Sequence, residues 1–251
     1  MEWKDLLLIL VGSITGFINT IAGGGTVIIM PFLILFMGLP PSVANGTNRI
    51  GVFTQTIFSA WGFKSKGQTP FVLGVKKSIL LGITAFLGAI IGSKLAIEIP
   101  DRLYNRILSI VMVLVLVLIL WKPKAPQAFL ENKKRGYFLA LVALFFVGMY
   151  AGFIQAGTGL LLILSLSYFC NLSLVQSNAI KTLIVFIFSI GTIAIFAYNH
   201  KIDYYYGVLL GIGNGLGGWV ASRWSVKKGD RFIQIFMIVA VCLMAFKLWV
   251  L

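Results

Sequence analysis

Two glycine-rich stretches interrupt long apolar runs in this 251-residue sequence, each preceded by a carboxamide side chain. The first reads Ala22-Gly23-Gly24-Gly25-Thr26 and follows Asn19; the second reads Ala156-Gly157-Thr158-Gly159 and follows Gln155. The chemistry on offer is binding, not bond-making. A helix that restarts after such a break presents unpaired N–H groups and the positive end of its dipole, an arrangement suited to an anion. Non-helical backbone at membrane depth persists only where it is buried in protein or lines a wet cavity. Close packing through small residues is the competing use of glycine. It is the reading we give to Gly88/Gly92 and Gly217/Ala221, spaced as small-xxx-small.

A second constellation joins Asn45, Thr47, Asn48 and Arg49 with Asn178, Lys181 and Thr182. Arg49 and Lys181 stand just inside the starts of apolar runs, among amide and hydroxyl groups fit for an oxyanion. A basic residue near the membrane interior is a candidate functional group, although one near a helix end can also snorkel to the interface. Lys94 and Arg223 align with each other at span ends and read as anchors.

Missing groups narrow the chemistry further. Glu2, Asp5, Glu98, Asp101, Glu131, Asp203 and Asp230 all fall at span ends or in loops, so no carboxylate sits mid-span to relay a proton or hold Na⁺. The one histidine, His200, lies in the loop Tyr198-Asn199-His200-Lys201, and Cys170 and Cys242 read as small core residues. Neither a Ser–His pair nor a metal cluster has material to build it. The expectation is translocation without covalent chemistry, with no metal and no cofactor.

The elements that must position these residues follow from composition. The chain is 59% hydrophobic and only 11% charged, with a mean hydropathy of +0.97. A soluble domain runs at about half apolar and a quarter charged. This is therefore an all-α polytopic membrane protein, and soluble enzymes, disulfide scaffolds and disordered chains are excluded. The net charge of +14 sits in short connections, where membrane proteins concentrate it, and does not point to nucleic acid. The N-terminus lacks the basic region of a cleaved signal.

Apolar stretches run at about 5–38, 50–63, 71–97, 103–121, 137–170, 179–198, 204–222 and 232–251. Six suit one crossing each. The stretches 5–38 and 137–170 would be about 50 Å long as straight helices, too long for one span and short for two. Helices broken at the glycines and folded back as hairpins fit both.

These two segments also begin matching halves. Gly16-Phe17-Ile18-Asn19 is echoed by Gly152-Phe153-Ile154-Gln155, and Asn45 to Ile50 by Asn178 to Leu183. Gly88 to Lys94 is echoed by Gly217 to Arg223, and Asp101-Arg102 by Asp230-Arg231. The expected division is a four-segment repeat at 1–121, a basic linker at 122–136 and a second four-segment repeat at 137–251. Inverted halves put 14 of the 21 Lys and Arg residues on one side, against 12 for parallel halves. The basic-inside rule thus favours inverted repeats with both termini outside.

The sequence resembles the TauE/SafE family, the sulfite exporter group of membrane permeases. The likeness rests on Gly16-Phe-Ile-Asn-Thr-Ile-Ala-Gly-Gly-Gly25, Pro31, Pro40, Asn45-Gly-Thr-Asn-Arg49, the loop Lys66-Gly67, then Gly82, Gly88 and Gly92, and the degenerate second copy. It covers nearly the whole chain. The resemblance implies about eight membrane segments from a duplicated unit, and export of sulfite, sulfoacetate or related sulfur-containing anions. Asn19, Gly23, Gly24, Gly25, Thr47, Asn48 and Arg49 fall on the family's characteristic elements. The second copy departs from the first: Thr158 replaces a glycine, Ile180 stands opposite Thr47, and Lys181 opposite Asn48.

The expectation is thus a permease of the cell membrane, with a midplane site for a small anion and the lipid bilayer as its surroundings. Its substrate-binding residues would be Asn19, Gly23, Gly24, Gly25, Thr47, Asn48, Arg49, Gln155, Gly157, Thr158, Gly159, Asn178 and Lys181. Exposed small-xxx-small pairs would allow a homodimer. The alternatives are a cation or metal permease, an intramembrane enzyme acting on lipid or peptide, and an assembly partner of a larger complex.

Overall fold

The computed structural model describes residues 3–120 and 133–226. These form α1 (Trp3–Ala22), α2 (Gly25–Leu35), α3 (Pro41–Lys64), α4 (Val75–Glu98), α5 (Asp101–Leu120), α6 (Lys133–Phe153), α7 (Thr158–Cys170) and α8 (Leu174–Tyr198). A further helix, α9, follows at 204–226, and no strand occurs among the described residues. The apolar run at 232–251, Cys242 and most of the basic linker lie outside them. Four helices, α1, α4, α6 and α8, are long and apolar enough to cross a membrane. The protein is an all-α, multi-pass membrane protein.

Both long segments break at their glycines. α1 stops at Ala22 and α2 starts at Gly25; α6 stops at Phe153 and α7 starts at Thr158. Gly25 packs against the backbone carbonyl of Thr15 and the side chain of Asn19, ten and six positions earlier in the chain. Only a reversal of direction brings such residues together, so α2 folds back along α1.

Glycine contacts also give the directions of the longer helices. Gly12 and Gly16 of α1 lie against Leu210 and Asn214 of α9, and Gly51 and Gly62 of α3 against Leu210 and Ser222. α1, α3 and α9 therefore run the same way. Gly88 and Gly92 of α4 touch the carbonyls of Phe145 and Met149 of α6, while Gly82 of α4 meets Ile187 of α8. These three run together, and opposite to the first set, because Gly46 of α3 meets Lys201 just beyond the end of α8. Three residues, Asn171 to Ser173, join α7 to the start of α8, so α7 returns to the face where α6 began.

The small-xxx-small pairs are consumed by these internal contacts. A Cβ on Gly88 would strike the Phe145 carbonyl, one on Gly148 the Ala85 carbonyl, and one on Gly217 the Ser13 carbonyl. Backbones approach this closely only where side chains are absent. Lys94 is exposed, and the Arg223 guanidinium lies 4.6 Å from the centroid of the Trp219 ring.

One boundary differs from the sequence expectation. α3 begins at Pro41, eight residues before Arg49, and not at the apolar run from residue 50. Pro41 occupies the first helical position, where its missing N–H costs nothing. The polar residues of the first two turns are buried, with Asn45, Thr47, Asn48 and Arg49 all 0% exposed. Burying polar side chains requires partners, and those partners come from the other half of the chain.

Candidate functional site

The carboxyl ends of the two broken helices are held by basic and amide side chains reaching across from the opposite half. Lys181 of α8 donates from Nζ to the carbonyls of Asn19 (3.0 Å) and Thr20 (2.8 Å). Asn178, one turn earlier, donates to the carbonyl of Ile21 at 3.2 Å. Three of the last four carbonyls of α1, those of Asn19, Thr20 and Ile21, thereby gain donors from the other half.

The mirror arrangement joins α3 to α6. Arg49 donates to the carbonyls of Ala151 (3.4 Å) and Gly152 and to Oδ1 of Asn45. Asn45 in turn donates to the carbonyl of Phe153 at 3.0 Å. The guanidinium stands 4.3 Å from the centroid of the Phe196 ring. Neither basic residue snorkels. Both stay inside, paired with the negative ends of helix dipoles.

Between the breaks lies a cavity. α1 contributes Asn19 and Thr20, α2 contributes Thr26, and α3 contributes Val52, Gln55 and Thr56. The second half adds Gln155, Thr158 and Gly159 from the α6–α7 break, and Lys181, Thr182, Val185 and Phe188 from α8. The first turns of α2 and α7 open here, and neither carries a side-chain cap. Gly157, the residue before α7, is left-handed with φ 71°. Gln155 is left-handed too, at φ 61°, a conformation uncommon for a residue with a side chain.

Hydrogen bonds tie the lining together. Asn19 Nδ2 donates to Gln55 Oε1 at 3.0 Å, Gln55 Nε2 to Thr20 Oγ1 at 2.9 Å, and the Thr20 and Ser59 hydroxyls meet at 3.0 Å. Asn48 Nδ2 donates to Gln155 Oε1 at 3.2 Å. That leaves Gln155 Nε2 and Thr158 Oγ1 buried with no hydrogen-bond partner among the described residues. Lys181 has three N–H donors, two of them committed to carbonyls. Among the described residues no carboxylate lines the cavity.

The sequence-derived site residues divide into two groups. Asn19, Gln155, Thr158, Gly159 and Lys181 line the cavity. Gly23 packs on the backbone of Gly159 and Leu160, Gly24 caps α2, and Gly25 lets α2 pass α1. Asn48 bonds Gln155, and the Thr47 hydroxyl accepts the backbone N–H of Asp203 at 2.9 Å. Arg49 and Asn178 hold helix ends and are not among the lining residues. Thr182, named with Lys181 in the sequence, also lines the cavity, whereas Thr20, Gln55 and Thr56 were not anticipated. The signal for Gln55 was available, since Asn48, Gln55 and Ser59 are seven and four residues apart, on one helical face within an apolar run.

His200 is exposed in its loop, and no group of three or more His, Cys, Asp or Glu among the described residues is placed to hold a metal. The site offers hydrogen-bond donors and one cation, the means to bind and release an anion.

A family model described as sulfite exporter TauE/SafE matches residues 8–248. Curated relatives agree. A probable membrane transporter protein of Haemophilus influenzae is 26% identical over 97% of this chain and 94% of its own length. The probable membrane transporter protein ORF9 of a Sinorhizobium species is 24% identical over 96% of this chain and 90% of its own. The probable membrane transporter protein YfcA of Escherichia coli K12 is 26% identical, with 96% and 88% covered. No solved structure matches the chain.

Proposed function

We propose that the cargo of this chain, which belongs to the sulfite exporter TauE/SafE family and is a membrane transporter, is a small anion. Sulfite or a sulfur-containing organic anion such as sulfoacetate is the first candidate, and export the direction. The observation that carries the reading is Lys181, a buried cation that shares with Gln155 and Thr158, whose Nε2 and Oγ1 have no partner among the described residues, the lining of a cavity to which no described carboxylate contributes.

Oxygens of the anion would accept from Lys181 Nζ, Gln155 Nε2 and Thr158 Oγ1, with the N-terminal ends of α2 and α7 adding their positive dipoles. Val52, Val185 and Phe188 form the apolar wall opposite. The Lys181 ammonium would repel a cation in this cavity, which argues against the metal permease. The lining also lacks an acid–base pair, which argues against an intramembrane enzyme.

Movement of the cargo would follow from rocking of two inverted repeats, 1–121 and 137–251, about the central site. With no carboxylate in the lining, flux is downhill or coupled through protonation of the cargo itself. We place the protein in the cell membrane with lipid as its surroundings and no nucleic-acid partner. A homodimer would have to use a surface other than Gly88/Gly92 and Gly217, which are occupied within the chain.

The test is flux in proteoliposomes holding the purified protein, comparing sulfite, sulfate, thiosulfate, sulfoacetate, chloride and a divalent cation. Saturable movement of a sulfur anion, lost in a folded Lys181→Met variant, is the expected result. Movement of the divalent cation, or sulfur-anion flux undiminished in that variant, would overturn it.

A further inference from the structure

We propose that Arg49 and Tyr104 form a second anion station, on the opposite side of the chain breaks from Lys181, which the cargo occupies when the transporter faces the other side of the membrane. The inference rests on the functional reading above, that the cargo is an anion.

The argument begins with a symmetry that is incomplete. Arg49 and Asn45 hold the end of α6 as Lys181 and Asn178 hold the end of α1. Each pair sits in the first third of its helix, and α3 and α8 start from opposite faces. Lys181 and Arg49 therefore lie on opposite sides of the breaks. Lys181 opens onto the cavity, whereas Arg49 is fully enclosed. A carrier built this way has one cation accessible and the other sealed.

The sealed side still carries unspent donors. Arg49 Nε is buried without a hydrogen-bond partner among the described residues, and so is the hydroxyl of Tyr104. Tyr104 belongs to α5, is 0% exposed, and packs beside Phe153, the neighbour of Gly152, whose carbonyl accepts from Arg49. Its ring packs 6.4 Å from that of Phe153, whose carbonyl accepts the Asn45 bond. An arginine with a purely structural duty would spend Nε on the fold, and a tyrosine with none would be phenylalanine, because an unpaired buried hydroxyl costs stability. An oxyanion lying between the two would accept from both. The Asp101 carboxylate at the start of α5 does not fill that place; it accepts the backbone N–H of Ser42 at 3.3 Å.

In transport terms the anion would leave Lys181 for Arg49 as the side lined by α3, α5 and α6 opens and the Lys181 side closes. No bond is made or broken, and the positive partner changes from an ammonium to a guanidinium.

Tyr104→Phe provides the discriminating variant, since it removes a hydroxyl that holds no protein bond. Uptake of radiolabelled sulfite is measured from each face, in vesicles of uniform protein orientation. The expected result is a KM raised about tenfold from one face, the usual effect of losing a hydrogen bond to a charged group, with the other face unchanged and the melting temperature unchanged or higher. Arg49→Lys, which keeps the charge but loses Nε, should show the same one-sided effect. A KM unchanged from both faces in Tyr104→Phe, or raised equally from both, would overturn the proposal while leaving the Lys181 site standing. Absence of sulfite flux in the wild type would instead sink the functional reading, and this inference with it.

Discussion

Gly23 lies backbone to backbone against Gly159, so the two chain breaks touch at the centre of the molecule. Neither position has room for a side chain. A Cβ on Gly23 would collide with the backbone of Gly159 and Leu160, and one on Gly159 with the backbone of Gly23. This contact brings the starts of α2 and α7 to a common place, and it explains why polar linings from both halves share one cavity.

Gly23→Ala should be among the most damaging single-atom-scale changes in the chain. Gly23 has φ +74°, and a left-handed conformation with a side chain costs about 1–3 kcal/mol before any collision is counted. Thermal unfolding in detergent should show a clear fall in melting temperature or loss of folded yield. A melting temperature equal to wild type would mean the breaks do not meet as described.

Thr158→Val separates binding from stability. The hydroxyl it removes has no partner among the described residues, and valine keeps the shape, so unfolding should be little changed. If that hydroxyl donates to the cargo, KM should rise about tenfold, the effect of losing a hydrogen bond to a charged group. Flux kinetics beside a melting curve decide the matter, and a wild-type KM would remove Thr158 from the site.

The glycine seams can be tested in both halves at once. Gly88→Val pushes into the Phe145 carbonyl, and Gly217→Val into the Ser13 carbonyl. Overpacking of this kind costs about 1–3 kcal/mol, and the two variants should be destabilised alike. Tolerance of either in a denaturation series would mean that its seam is looser than described.

Ser173→Ala removes the N-terminal cap of α8. Ser173 Oγ accepts the Gln176 N–H at 3.2 Å, and Gln176 Oε1 accepts the Ser173 N–H at 3.1 Å. Losing such a cap costs about 1 kcal/mol, a drop of about 2–4 °C for a chain of this size. Transport should survive, because the cap lies outside the cavity. A loss of flux without a melting shift would contradict a purely capping role.

Much of this architecture was legible in the residues. Segments too long for one crossing and too short for two, each with a glycine cluster near its middle, placed both breaks within a residue or two. What hydropathy hid was the start of α3, since Ser42, Asn45, Thr47, Asn48 and Arg49 read as a connection. Asn45 and Arg49 find their partners in the carbonyls at the end of α6, and Thr47 and Asn48 in Asp203 and Gln155, all more than a hundred residues away, a relation that no local pattern encodes. The same blindness put Arg49 and Lys181 on an equal footing. Only three-dimensional packing shows that Lys181 lines the central cavity while Arg49 is packed against Phe196 away from it. Gln55 escaped notice because one amide in an apolar run looks like a tolerated exception until its bonds to Asn19 and Thr20 are seen.

The seam between α1 and α9 has a consequence for how the protein is made. Gly12 meets Gly213, about 200 residues downstream, so α1 must wait for α9, synthesised much later, before its glycine face is covered. Contacts of such sequence separation are slow to form, and until then the bare face is free to pair wrongly. The amino-terminal half cannot therefore mature by itself during synthesis. Its completion is a late event, closed only when the carboxyl-terminal half has entered the bilayer beside it.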